Sequence, residues 1–236
     1  MIYVYAITEH PCAMPADGIR GLDDRPLATR SVGSITAVHS ECDSRPATPT
    51  AENLWRHEAV VEALMRNCDA VLPARFAMVV ADERMLDEAL AQHIEPLAAG
   101  LARVRGCVEL GLRVLWERPT ESQSPAQPAD SGRSYMAARL DDERRRRATR
   151  ERAQQIATTL HDALAPLARD TTRRVLPTDD VVMSSAYLVA REGAEQFATR
   201  ARELSTHHPD LRLLCTGPWP PYHFAPALTF AEVRNA

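Results

Sequence analysis

Cys107-Val108-Glu109-Leu110-Gly111-Leu112-Arg113-Val114-Leu115-Trp116 holds the cleanest alternation in the chain. Val108, Leu110, Leu112, Val114 and Trp116 fall on one face and Glu109 and Arg113 on the other, so the segment reads as a half-buried strand. Gly106 ends the connection that leads into it. Before it, Leu86, Leu90, Ile94, Leu97 and Leu101 form a helical stripe, with Asp82 as its cap and a kink expected at Pro96. Further back, residues 71–80 read as a strand with Pro73 near its start, where a missing donor is tolerated. Thr48 and Pro49 read as N-cap and first helical residue of a helix to about residue 67, with inner stripe Leu54, His57, Val61, Leu64, Met65 and Cys68. Strands at 2–7 and 32–39 complete the order β, β, α, β, α, β. This makes residues 1–117 one α+β layer, with helices on one face of a mainly antiparallel sheet.

Downstream, residues 118–133 are rich in Pro, Ser and Gln and read as a linker. A long helix follows over about 134–168. Its Asp141-Asp142-Glu143-Arg144-Arg145-Arg146-Arg147 run puts acids ahead of arginines, the favourable order for i,i+4 pairs, and reads as a solvated face. Ile156, Leu160, Leu164 and Leu167 anchor it. Strands near 173–176 and at 181–190, a helix at 193–206 bearing Phe197, Ala201 and Leu204, and a strand at 211–215 give α, β, β, α, β. The fold class is therefore α+β in two domains, each a mainly antiparallel sheet with packed helices. The second, residues 134–236, is expected to be ferredoxin-like, with a tail that ends in a short strand at 228–233.

That tail opens with Gly217-Pro218-Trp219-Pro220-Pro221-Tyr222-His223-Phe224. Three aromatic residues fall within six positions of a chain that is only 5% aromatic. The interleaved prolines remove backbone donors, so the run reads as extended and rigid rather than as helix or central strand. Two readings stand side by side: Trp219, Tyr222 and Phe224 close a core, or the stiff ridge is offered to a partner.

The run closely resembles the GPWPPY(S/N)F signature of the gas vesicle protein F/L family (GvpF/GvpL). Tyr3-Val4-Tyr5, Leu72-Pro73-Ala74-Arg75-Phe76, Gly106 through Trp116, Ser131-Gly132-Arg133-Ser134-Tyr135 and Ala186-Tyr187-Leu188-Val189 line up in the same order, so the resemblance covers nearly the whole chain. One departure is Ala77, which stands where family members usually have glycine. If that glycine serves a turn with positive φ, the turn after Phe76 is altered or absent.

Composition narrows the rest. The chain has 236 residues, net charge -4 and pI about 6.1, with 45% hydrophobic residues, values ordinary for a soluble globular protein without a general attraction to nucleic acid or anionic membrane. All 28 basic residues are arginine, which excludes Schiff-base and phosphate-loop lysine chemistry. Five scattered cysteines without a CxxC pair suggest reduced thiols in a cytoplasmic protein, Cys68 and Cys107 packing as small hydrophobes. The first residues do not read as a signal peptide, and no apolar run is long enough to span a membrane. His57 lies on an apolar stripe and reads as a satisfied core group. His207, His208, Cys215 and His223 match no usual zinc spacing, so neither metal nor cofactor is expected. No nucleophile or phosphate-binding motif occurs, and Arg144–Arg147 are offset by neighbouring acids, against nucleic-acid binding.

What the resemblance implies is a non-enzymatic structural or assembly protein of the gas vesicle, a cytoplasmic organelle. Its partners would be the major shell protein and other accessory proteins. Arg75, Phe76, Trp219, Tyr222 and Phe224 are the positions matching family motifs, as partner contacts or as a structural clasp. The alternative is a cytoplasmic small-ligand binder or enzyme with a site in an interdomain cleft near His57, Arg75 and the aromatic run.

Overall fold

The computed structural model describes residues 1–11, 14, 18–43, 48–117, 132–175 and 180–226. The chain divides into two compact units, Met1–Glu109 with Pro218–Ala236, and Leu110–Gly217. It is an α+β protein built from two antiparallel sheets with packed helices.

In the first unit the central strand β1 (Ile2–Glu9) is buried along almost its whole length, as its run of Tyr, Val, Ile and Ala allows. Beside it stand β3 (Ile35–Glu41) and, beyond that, β2 (Ala28–Val32), with β4 (Val71–Pro73) on the opposite flank and the short β5 (Val79–Val80) also paired to β1. The pairings β1–β3, β1–β4, β1–β5 and β2–β3 are all antiparallel. Three helices pack in this unit: α1 (Ala51–Asn67), α2 (Glu83–Gln92) and α3 (Ile94–Val104). Tyr3, Tyr5, Val60, Val61 and Leu64 share one core cluster between β1 and α1.

Four expectations for this half are corrected. The single strand at 32–39 is a hairpin of β2 and β3, turned by Gly33 at φ +57 and Ser34, the positive-φ-first arrangement of a type II′ turn. The first helix begins a little later than expected: Thr50, not Thr48, is its cap, its side chain accepting from the Asn53 N–H at 3.2 Å. The strand at 71–80 is interrupted between β4 and β5 by a turn that Met78 N–H closes on the Arg75 carbonyl at 3.2 Å, with Ala77 at φ +68. The kinked helix is two helices that break at His93, three residues before Pro96, whose missing N–H leaves the Gln92 carbonyl without its helical donor. Asp82 caps α2 as expected, accepting from Met85 N–H at 2.8 Å.

The strand expected to close the first layer, β6 (Cys107–Trp116), is an inner strand of the second sheet. Alternation identifies a strand with a buried face but says nothing of its hydrogen-bonding neighbours, which here come from far along the chain. After β6 follow α4 (Gly132–Leu164), β7 (Asp170–Val175), β8 (Val181–Ala190), α5 (Ala194–His207) and β9 (Leu211–Trp219), with sheet order β7-β8-β6-β9. Leu110, Leu112 and Val114 of β6 meet Ala153, Ala157, Leu160 and Leu164 of α4 and Phe197 and Ala201 of α5 in one core. β9 runs on through Gly217 and Pro218 to Trp219, longer than expected. As an edge strand it tolerates a residue with no N–H to donate. Most of the Pro- and Ser-rich segment at 118–133 and the strand expected at 228–233 lie outside the described residues.

Candidate functional site: the aromatic-proline turn

Only the first part of the run is extended. After Trp219 the chain coils: Tyr222 N–H donates to the Pro220 carbonyl at 2.8 Å, and Phe224 and Ala225 N–H groups donate to the Pro221 carbonyl at 3.1 and 3.0 Å. Prolines at the start of such a turn cost no hydrogen bond, because their missing donors have no partner to lose there.

Three side chains fasten the turn within the first unit. Phe224 is buried, with the Arg103 guanidinium 5.5 Å from its ring centroid. The Tyr222 hydroxyl donates to Glu58 Oε1 on α1 at 2.7 Å. His223 reaches Glu109 twice, through its backbone N–H to Oε2 at 2.9 Å and through Nδ1 to Oε1 at 2.6 Å. Glu109 is therefore not on a solvent face, as its alternation position suggested. It is 5% exposed, its carboxylate satisfied by the turn lying over it. Burial pushes the Glu58 carboxyl up, the Tyr222 hydrogen bond opposing that, and burial raises the Tyr222 phenol, so the phenol remains a donor across the ordinary pH range. Close approach is helped by Gly100, where a Cβ would stand 3.1 Å from Pro226 Cδ and 3.2 Å from Leu72 Cδ1.

His57 and the Arg75–Ala77 turn form a neighbouring network. The His57 Nε2–H donates to the Ala74 carbonyl at 3.1 Å, which leaves Nδ1 to accept from the Tyr3 hydroxyl at 2.9 Å. The same hydroxyl accepts from Ala77 N–H at 3.0 Å. Burial pushes His57 down to about 4, so it is neutral at pH 7. Tyr3, Tyr5, His57 and half-buried Phe76 stack around one another with ring centroids 4.8–6.2 Å apart. Arg75 is exposed and forms no ion pair among the described residues. His57 is thus a packed and hydrogen-bonded core residue.

Of the five positions singled out in the sequence, Tyr222 and Phe224 are fasteners and Phe76 belongs to the ring cluster. Arg75 and Trp219 face solvent, Trp219 at 45% exposure. Sequence reasoning missed Trp55, 74% exposed, which stands one helical turn before Glu58 on α1. No signal marked it, since a tryptophan on a helix is ordinarily assigned to a core. It also missed Glu58 and Glu109 as the two acids that hold the turn. A cavity of about 630 Å³ in the same unit is lined by Arg25, His39, Glu41, Cys42, Asp82 and Glu83 among others, and by none of the five. Among the described residues no three His, Cys, Asp or Glu side chains gather as a metal ligand set, and no helix is long and apolar enough to cross a membrane.

Comparison with known proteins places this architecture. The model of the family described as gas vesicle synthesis protein GvpL/GvpF matches residues 1–226. Gas vesicle protein L of a Streptomyces species is 30% identical over 94% of this chain and 92% of its own length. Gas vesicle protein F1 of Halobacterium salinarum is 26% identical over 99% of this chain and 97% of its own. The crystal structure of GvpF from Anabaena superposes with TM-score 0.78 at 22% identity, covering 95% of each chain, and establishes the likeness of fold alone. With a family model spanning its sheets, its helices and the aromatic-proline turn, the chain belongs to the GvpL/GvpF family of gas vesicle proteins.

Proposed function

We propose that this chain is a non-enzymatic, minor structural or assembly protein of the gas vesicle, which binds the major shell protein, other accessory proteins or both while the vesicle forms in the cytoplasm. The observation that carries the reading is the family match across residues 1–226, joined to a fastened turn that directly follows an exposed tryptophan. Glu58, Glu109 and Arg103 hold Tyr222, His223 and Phe224, and Trp219, the last residue of β9, is 45% exposed beside them in sequence. A tryptophan has few rotatable bonds to order on docking, and the shell protein, small and strongly hydrophobic, would offer apolar surface to it. Arg75 adds an exposed cation in the same unit. The second unit reads as ferredoxin-like: β6, α4, β7, β8, α5 and β9 follow in β-α-β-β-α-β order, with β6 between β8 and β9. The role is tested by deleting the gene in its host and restoring it on a plasmid, with pressure-sensitive light scattering as the measure of intact vesicles. Loss on deletion and recovery on restoration support the assembly role; unchanged vesicle content in the deletion strain overturns it.

A further inference from the structure

Among the described residues, the first half of α4 has no tertiary face. Its described side chains from 133 to 151 are exposed, and Arg152 is the first to reach a neighbouring element, pairing with Asp210 and lying over the Trp116 ring. Nineteen residues at 1.5 Å each make a rod roughly 28 Å long. A polar helix of this kind is marginal alone, and its own Asp141–Arg144 and Glu151–Arg147 pairs, at 3.3 and 2.9 Å, are exposed and weak supports. The buried stripe Ala153, Ala157, Leu160 and Leu164 continues at helical spacing into this rod as Tyr135, Arg139, Asp142, Arg146 and Thr149, so the stripe that faces a core in one half faces solvent in the other.

The charges say what would cover it. Asp141, Asp142 and Glu143 are each followed four residues on by an arginine: Arg145, Arg146 and Arg147. Such a block is self-complementary when reversed. We propose that this half of α4 pairs antiparallel with the same segment of a second copy of the chain, about a two-fold axis at the level of Arg144. Asp142 and Arg146 lie on the shared stripe, so each Asp142 meets the Arg146 of the other copy. On the two flanks, which a two-fold axis matches like with like, Glu143 shares a side with Arg147 of the other copy and Asp141 with its Arg145, each pair offset by two residues, about 3 Å along the axis. Arg144 points to the far side, away from the axis. A parallel, in-register pairing would set acid against acid and arginine against arginine along the block, so the direction is specified by charge.

The test is sedimentation equilibrium of the full chain with single swaps Asp142→Arg and Arg146→Asp, both at exposed positions and each checked by circular dichroism. The wild type is expected to dimerise, more weakly as salt rises. Each swap alone turns two attractive pairs into two repulsive ones and weakens dimerisation by roughly ten-fold or more. An equimolar mixture of the two variants restores it as a heterodimer, because the arginines of one then face the acids of the other. A wild type monomeric at every accessible concentration overturns the proposal and leaves this face to a different protein. So do single swaps that dimerise as well as wild type, or a mixture that fails to recover.

Discussion

Ala77→Gly is expected to stabilise the protein, against the usual effect of introducing glycine. Ala77 sits at φ +68 as third residue of the turn between β4 and β5, closed by Met78 N–H on the Arg75 carbonyl at 3.2 Å, and its own N–H is held by the Tyr3 hydroxyl at 3.0 Å. The conformation is thus fixed from both sides, and the residue cannot relax out of the left-handed region. There a Cβ costs about 1–2 kcal/mol. Glycine removes that cost but gains back conformational freedom in the unfolded chain worth roughly 0.5–1 kcal/mol. The net gain is centred on about 0.75 kcal/mol, within limits of about 0 and 1.5, a rise in Tm of about 1.5–3 °C for a chain of this size. Ala59→Gly serves as control. Ala59 is exposed in the middle of α1, where glycine is expected to cost about 1 kcal/mol. Differential scanning calorimetry of the three proteins decides it. A Tm for Ala77→Gly at or below wild type would refute the reasoning, since it would mean that the turn does not bear the strain its backbone angle implies.

Phe224→Ala, which empties a buried site under Arg103, is expected to cost about 3–5 kcal/mol, read as a lowered midpoint in urea. Tyr222→Phe removes one hydrogen bond to a half-buried carboxyl and is expected to cost about 1 kcal/mol by the same assay. Because burial holds Glu58 above its ordinary value, its contribution is fully present below the unfolded pKa and is lost as pH rises through the folded one. Glu58→Gln should flatten that decline, and identical pH profiles for the two proteins would count against it. His57 has the opposite sign. Held at about 4 instead of about 6.5, it binds fewer protons folded than unfolded, so stability falls by about 3 kcal/mol as pH drops through that interval. His57→Gln is expected to remove this slope, and an unchanged slope would show that another group titrates.

The strand β6 was legible as a strand, and its sheet was not. Period-two alternation reports that one face is buried; the partners β8 and β9 lie about 70 to 100 residues away, and nothing local to 107–116 names them. The same limit hid the candidate site. Tyr222 and Phe224 stood out by composition, whereas Glu58 and Glu109, which hold the turn, looked like ordinary polar positions on a helix and a strand until tertiary structure set them 2.7 and 2.6 Å from Tyr222 and His223. A disturbance at Pro96 was legible as a kink because proline acts through its own missing donor, a property of one residue, whereas the full break into α2 and α3 at His93 was not. Ala77 shows the converse: the turn persists without its glycine, since the pairing of β4 and β5 to β1 on either side dictates the angle.

The most direct test of the account is capture of the purified major gas vesicle shell protein by the immobilised wild-type chain and by Trp219→Ala. Trp219 is 45% exposed and its truncation is expected to cost less than about 1 kcal/mol of stability, so the variant remains folded. The account predicts that the wild type retains the shell protein and that Trp219→Ala loses most of it, on the order of ten-fold in affinity. Equal capture by both would contradict the assignment of the exposed indole as the docking point, and no capture by either would contradict direct contact with the shell protein.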